Sequence, residues 1–250
     1  MRRPTSRDVA ILCLIGAMWG GTFPALKIAV THIPPVGVAA GRLFVAAVFM
    51  VVIAVIAGAH RLPARRDVWV KYLAIAAVGN VLPFILIADG QQHLEAGLSA
   101  ILMATMPLAT LLLSPFFVKD ELLTLRRIAG VAVGLVGMLL LVGVDALQGL
   151  GSNVLAQVEV AGGAICYAIH SIIIRRVTGV SPLTNTACAL VLSALLAVPL
   201  AVATADFTVP PVEAVLGVVF AGLMGTALGY LLYMRLVADV GVNFAALCNY

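Results

Sequence analysis

WGGTFPALK, from Trp19 to Lys27, and YAIHSIIIR, from Tyr167 to Arg175, are the two stretches that decide the fold. In each, an aromatic residue and a small residue precede a basic residue eight positions after the aromatic. The 148-residue offset between them also places Pro34 on Pro182, each opening the next apolar stretch. Further along, Glu95 and Gly97 match Asp239 and Gly241 at an offset of 144. A shorter connection late in the second copy absorbs the difference. Matches in a common order across several helices predict a duplicated five-helix unit.

Around these stretches the chain is almost continuously apolar. Of its 250 residues, 63% are hydrophobic and 10% charged, where soluble domains run near half and a quarter. Crossing a bilayer takes about 20 mostly apolar residues. Spans are expected at 9–30, 35–57, 69–89, 95–117, 126–145, 157–174, 182–203, 211–234 and from 240 onward. The runs do not alternate apolar with polar, so they are helices and not barrel strands.

The basic residues are sorted. Thirteen of the fifteen Lys and Arg lie in the N-terminal tail or in every second connection. The tail holds Arg2, Arg3 and Arg7, and the second connection Arg61, Arg65, Arg66 and Lys71. Lys119, Arg126 and Arg127 follow in the fourth, Arg175 and Arg176 in the sixth, Arg235 in the eighth. The intervening connections hold Asp89, Glu95, Asp145, Glu159, Asp206 and Glu213, with no Lys or Arg. Basic segments stay cytoplasmic on insertion, so the N-terminus is expected inside. Lys27 and Arg42 alone break the pattern, both within spans.

Five spans per copy is an odd number, so the second copy enters from the opposite face. The expected architecture is an all-α integral membrane protein with an inverted five-plus-five repeat, as in many secondary transporters. The first repeat covers 1–150 (spans 1–5). The second covers 151–250 (spans 6–8 and the start of 9). Pro107 calls for a counterpart near position 251, so the end of the ten-helix design is expected to lie beyond this sequence.

Other classes find little support. The formal net charge is +4, but the basic residues form no stripe or aromatic-interleaved patch, so no nucleic-acid partner is expected. Cys13, Cys166, Cys188 and Cys248 sit in apolar segments without metal or redox spacing. No catalytic or phosphate-binding motif is present, and no cofactor or metal is implied. The apolar run after the N-terminal MRRPTSRD is too long for a signal peptide and reads as a retained span.

The chain resembles the EamA-type branch of the drug/metabolite transporter superfamily. The resemblance rests on Trp19-Gly20 with Lys27, Pro35 with Arg42, Pro107, Asp120-Glu121, Gly130 and Gly134, Tyr167-Ala168, and Gly225-Thr226. It departs in having Asp120-Glu121 where Gly-Glu is common. The resemblance implies ten helices, cytoplasmic termini, a bacterial inner-membrane location and no enzymatic activity. It also implies carriage, often outward, of amino acids, other metabolites or toxic compounds. The partners expected are a small-molecule substrate and the lipid bilayer, with a homodimer left open. The competing reading is a membrane enzyme or flippase acting on a lipid-like substrate.

The candidate substrate-binding residues are Trp19, Thr22, Arg42, Asn80, Phe84, Thr105, Tyr167 and Tyr230, aromatic or polar groups near mid-membrane. Pro24, Pro83 and Pro107 lie close to several of them and free carbonyls that a wet cavity can satisfy. Arg42 lies about 10 Å inside its span. It reads either as an anchor for a carboxylate or phosphate, or as a structural or snorkelling charge. Lys27 reads mainly as snorkelling, Asp120 and Glu121 as a loop ion cluster, and His170 as hydrogen-bonded within the bundle.

Overall fold

The computed structural model describes residues 4–59, 62–118, 123–204 and 209–249. Arg2, Arg3, His60, Arg61, Lys119, Asp120, Glu121 and Asp206 fall outside the described residues. Helix starts follow local sequence. α1 (Ser6–Val30) opens where the Thr5 amide and hydroxyl donate to the Asp8 carboxylate at 2.8 and 2.7 Å. α2 (Pro35–Ile56) and α7 (Pro182–Ala203) begin with proline, which has no amide to leave unpaired. Ser181 also accepts from the Thr184 amide at 3.1 Å. At the start of α6 (Val154–Arg175), Asn153 accepts from the Ala156 amide at 3.2 Å.

The remaining helices are α3 (Arg66–His93), α4 (Ala96–Phe117), α5 (Leu125–Val142), α8 (Val212–Asp239) and the short α9 (Val242–Ala246). Seven of the described helices, α1 to α4 and α6 to α8, are long and apolar enough to cross a membrane. The described residues contain no strand. Most bounds match the hydropathy reading, but α3 and α8 run longer. In α3 the polar first turn is held by Asp67, which pairs with Arg65 at 2.8 Å and Lys71 at 2.9 Å. Hydropathy falls there while the helix continues.

Three helices depart from α geometry. α3 is π-helical over Ile75–Val81, and α8 over Ala221–Leu228. α4 breaks at Ala104, between Ala96–Met103 and Thr105–Phe117. Pro107 has no amide for the Met103 carbonyl four residues back, and its ring crowds that carbonyl.

α2 and α7 pack together at the centre through small residues, among them Ala39, Ala46, Ala47, Ala187, Ala194 and Ala197. Such faces let backbones approach where lipid offers no hydrophobic drive. α1 packs on α8, and α6 on α3; the π segment of α8 meets α2, and that of α3 meets α7. Large apolar side chains point outward, including Val55, Leu140, Leu195 and Val202. This suits a protein whose solvent is hydrocarbon.

Lys27 does not snorkel to the surface. Its ammonium donates to the Gln91 and Leu94 carbonyls at 2.9 and 2.8 Å, closing the end of α3. Arg175, 148 residues on, donates to Ala238 at 2.8 Å and Val237 at 3.5 Å, closing the end of α8. A cation at a helix C-terminus meets carbonyls that have no intrahelical partner.

Candidate substrate site

The π segment of α8 borders one central cavity of about 40 Å³ through Gly225. The extra residue in each π turn moves the hydrogen-bond ladder to i−5. The Gly229 amide therefore bonds the Met224 carbonyl. The Gly225 carbonyl, left by Gly229, accepts the Trp19 indole N–H at 2.7 Å. In α3, the Tyr230 hydroxyl donates to the Gly79 carbonyl at 3.4 Å. Each aromatic thus meets a backbone carbonyl of a π segment.

Among the described residues, Arg42 supplies the one charge in the cavity lining. Its residue exposure is 7%. Nε donates to the Thr226 hydroxyl at 2.9 Å, and the guanidinium carbon lies 3.8 Å from the centroid of the Phe84 ring. The Thr226 hydroxyl donates in turn to the Ala221 carbonyl at 3.0 Å, which leaves its lone pairs for Arg42. Tyr167 and Tyr230 stand 6.1 and 6.4 Å from Phe84, ring centre to ring centre. Trp19 meets Tyr230 edge-on at 6.2 Å.

Of the residues expected from sequence, Trp19, Thr22, Arg42, Tyr167 and Tyr230 line this cavity, and Phe84 backs Arg42 from behind. Asn80 and Thr105 are elsewhere. Asn80 is fully buried against α7, donating to the Ser193 hydroxyl at 2.7 Å. The Thr105 hydroxyl donates to the Leu102 carbonyl at 2.7 Å, within its own helix. His170 is buried with Nε2 lacking a partner among the described residues, where the sequence led us to expect a hydrogen bond. Its ring lies 5.2 Å from Tyr230.

Gly79, Gly225 and Thr226 were missed as site residues. They are findable by spacing, because Gly79-Asn80 and Gly225-Thr226 are 146 residues apart, as are Phe84 and Tyr230. The glycines make room for the facing helix. A Cβ on Gly79 would come within 2.7 Å of His170 Cγ, and one on Gly225 would collide with Thr22 Cγ2. Thr22 and His170 are themselves 148 residues apart. Beside the central cavity lies a larger, mostly apolar one of about 570 Å³, sharing Trp19, Phe23, Met103 and Asn249 with it and bordered by residues 247–249.

A bundle of membrane-length helices around a small central cavity is the build of a transport protein. The chain matches the model of the EamA-like transporter family over residues 8–143 and 156–250, and it belongs to that family. It is 27% identical over 247 residues to the uncharacterized inner membrane transporter YedA of Escherichia coli K12, covering 94% of this chain and 78% of that one. It is 29% identical over 241 residues to a probable terminal-alkyne amino-acid exporter of Streptantibioticus cattleyicolor, covering 95% and 78%. A solved crystal structure aligns with a TM-score of 0.77 at 18% identity, over 98% of this chain and 84% of that one. That likeness concerns the fold alone.

Proposed function

We propose that this chain is a secondary carrier of the bacterial inner membrane that exports a small metabolite by alternating access. Its N-terminus is cytoplasmic, and its substrate sits among Trp19, Thr22, Arg42, Phe84, Tyr167 and Tyr230. Residues 1–150 act as one five-span unit, and residues 151–250 supply spans 6–8 and the start of span 9 of a second unit of opposite orientation in a ten-helix design. One observation carries the reading: the cavity lining and the groups packed directly on it pair at the repeat spacing. Trp19 and Tyr167, both in the lining, are 148 residues apart; the lining residue Tyr230 packs on its counterpart Phe84, and the lining residue Gly225 has as counterpart Gly79, whose carbonyl meets the Tyr230 hydroxyl, both at 146. A site made from matched parts of two inverted halves can open to either side by rocking one half on the other.

The amino-acid exporter among the relatives puts small metabolites bearing a carboxylate first in a screen. The test is efflux from vesicles containing the purified protein, preloaded with a panel of such metabolites. Saturable efflux of at least one solute, lost in Trp19→Ala and in Tyr230→Ala, is the expected result. Efflux unchanged in both variants would remove the site from the pathway.

A further inference from the structure

We infer that the central site recognises a negatively charged head group, specifically the carboxylate of a solute with an apolar body, and that Arg42 is the anchor. This rests on the carrier reading above and names its substrate class. A guanidinium carries five N–H donors, and among the described residues only Nε of Arg42 meets an acceptor, Thr226. Among the described residues no carboxylate lines the cavity, and none pairs with the terminal nitrogens of Arg42. Phe84 covers one face of the guanidinium, which leaves the edge as the free side. An edge with two parallel N–H groups suits a carboxylate.

Packing does not require a cation there. The position 148 residues on is Leu190, fully buried in the apolar contact between α2 and α7. Pro34 and Pro182 fix that spacing at the start of the same two helices. The matched place in the other half is thus filled by an aliphatic side chain. A buried unpaired charge is costly, and replacing it with Leu removes that cost. An anion arriving with the substrate offsets it in function. The small volume of the cavity suits a compact head, and the aromatic walls suit an apolar body.

Binding reports this without assuming transport. The chain has two tryptophans. Trp69 donates to the Pro63 carbonyl at 2.8 Å, away from the cavity. In a Trp69→Phe background, Trp19 fluorescence therefore reads the site alone. The probes are 4-phenylbutyrate, 4-phenylbutanol and 4-phenylbutylamine, which share a body and differ in head. We expect the acid to bind about tenfold or more tighter than the alcohol, with the amine weakest. In Arg42→Leu that preference falls to about one while the melting temperature holds or rises; Arg42→Lys retains part of it. Equal affinity for acid and alcohol in the parent protein overturns the inference, and so does a preference that survives in Arg42→Leu. Arg42-dependent acid binding with no vesicle flux of any solute sinks the carrier reading and keeps the anion site. Flux that ignores the acid head keeps the carrier and sinks the anion site.

Discussion

Thr22 and Gly225 show how closely the halves are fitted. The Thr22 hydroxyl is spent on the Trp19 carbonyl at 2.6 Å, while its methyl group fills the space that Gly225 leaves open. Gly225→Ala should therefore overpack the contact and lower stability by about 1–3 kcal/mol, read as a fall in melting temperature in detergent. Thr22→Ser keeps the hydroxyl and deletes the methyl, so the double variant should recover most of the loss. No recovery would mean that Gly225 is needed for its backbone and not for its missing side chain. At this scale the sequence was partly legible. Depth in the membrane picked out Trp19, Arg42, Phe84, Tyr167 and Tyr230, all at or against the cavity. Depth says nothing about direction around the helix axis, so at similar depth Asn80 bonds a neighbouring helix and Thr105 bonds its own.

Helix ends and π turns carry the next level. Lys27 on α3 and Arg175 on α8 close the two helices that bear the π segments, and the two caps share no bonded residue. Lys27→Met and Arg175→Met should each lower stability by about 1.5–3 kcal/mol, the range for hydrogen bonds from a charged donor, read as a fall in melting temperature. The double variant should show the sum within about 0.5 kcal/mol. A double loss well short of the sum would show the two ends to be coupled. Helix positions were legible because hydropathy and proline mark them, as at Pro35 and Pro182. The π segments were not, because hydropathy carries no trace of a shift from i−4 to i−5 bonding. Each such shift turns the residues beyond it by roughly the 100° that one α-helical residue covers, and hydropathy does not announce that Gly225 borders the cavity or that Thr226 meets Arg42.

At the scale of the molecule, the proposed two halves would differ in charge at Arg42 and its counterpart Leu190. Sorting of the basic residues is the ground for the proposed cytoplasmic N-terminus. A reporter active only in the cytoplasm, fused ahead of Met1, should be active; an inactive fusion would reverse the orientation. The lone guanidinium then has an electrical consequence. With an anionic solute bound, the site is neutral; empty, it carries one positive charge. A cation crossing the whole membrane field exchanges about 2.3 kcal/mol per 100 mV. The inside-negative voltage of a living cell would act on the empty form and draw its opening toward the cytoplasm, leaving the loaded form indifferent. Export would then quicken when vesicles are held negative inside and slow when the potential is collapsed; in Arg42→Leu the empty form is neutral, so the return step should lose its response and any dependence that remains belongs to the loaded step. On this account one unpaired side chain acts as the return spring of the cycle, wound by the membrane potential.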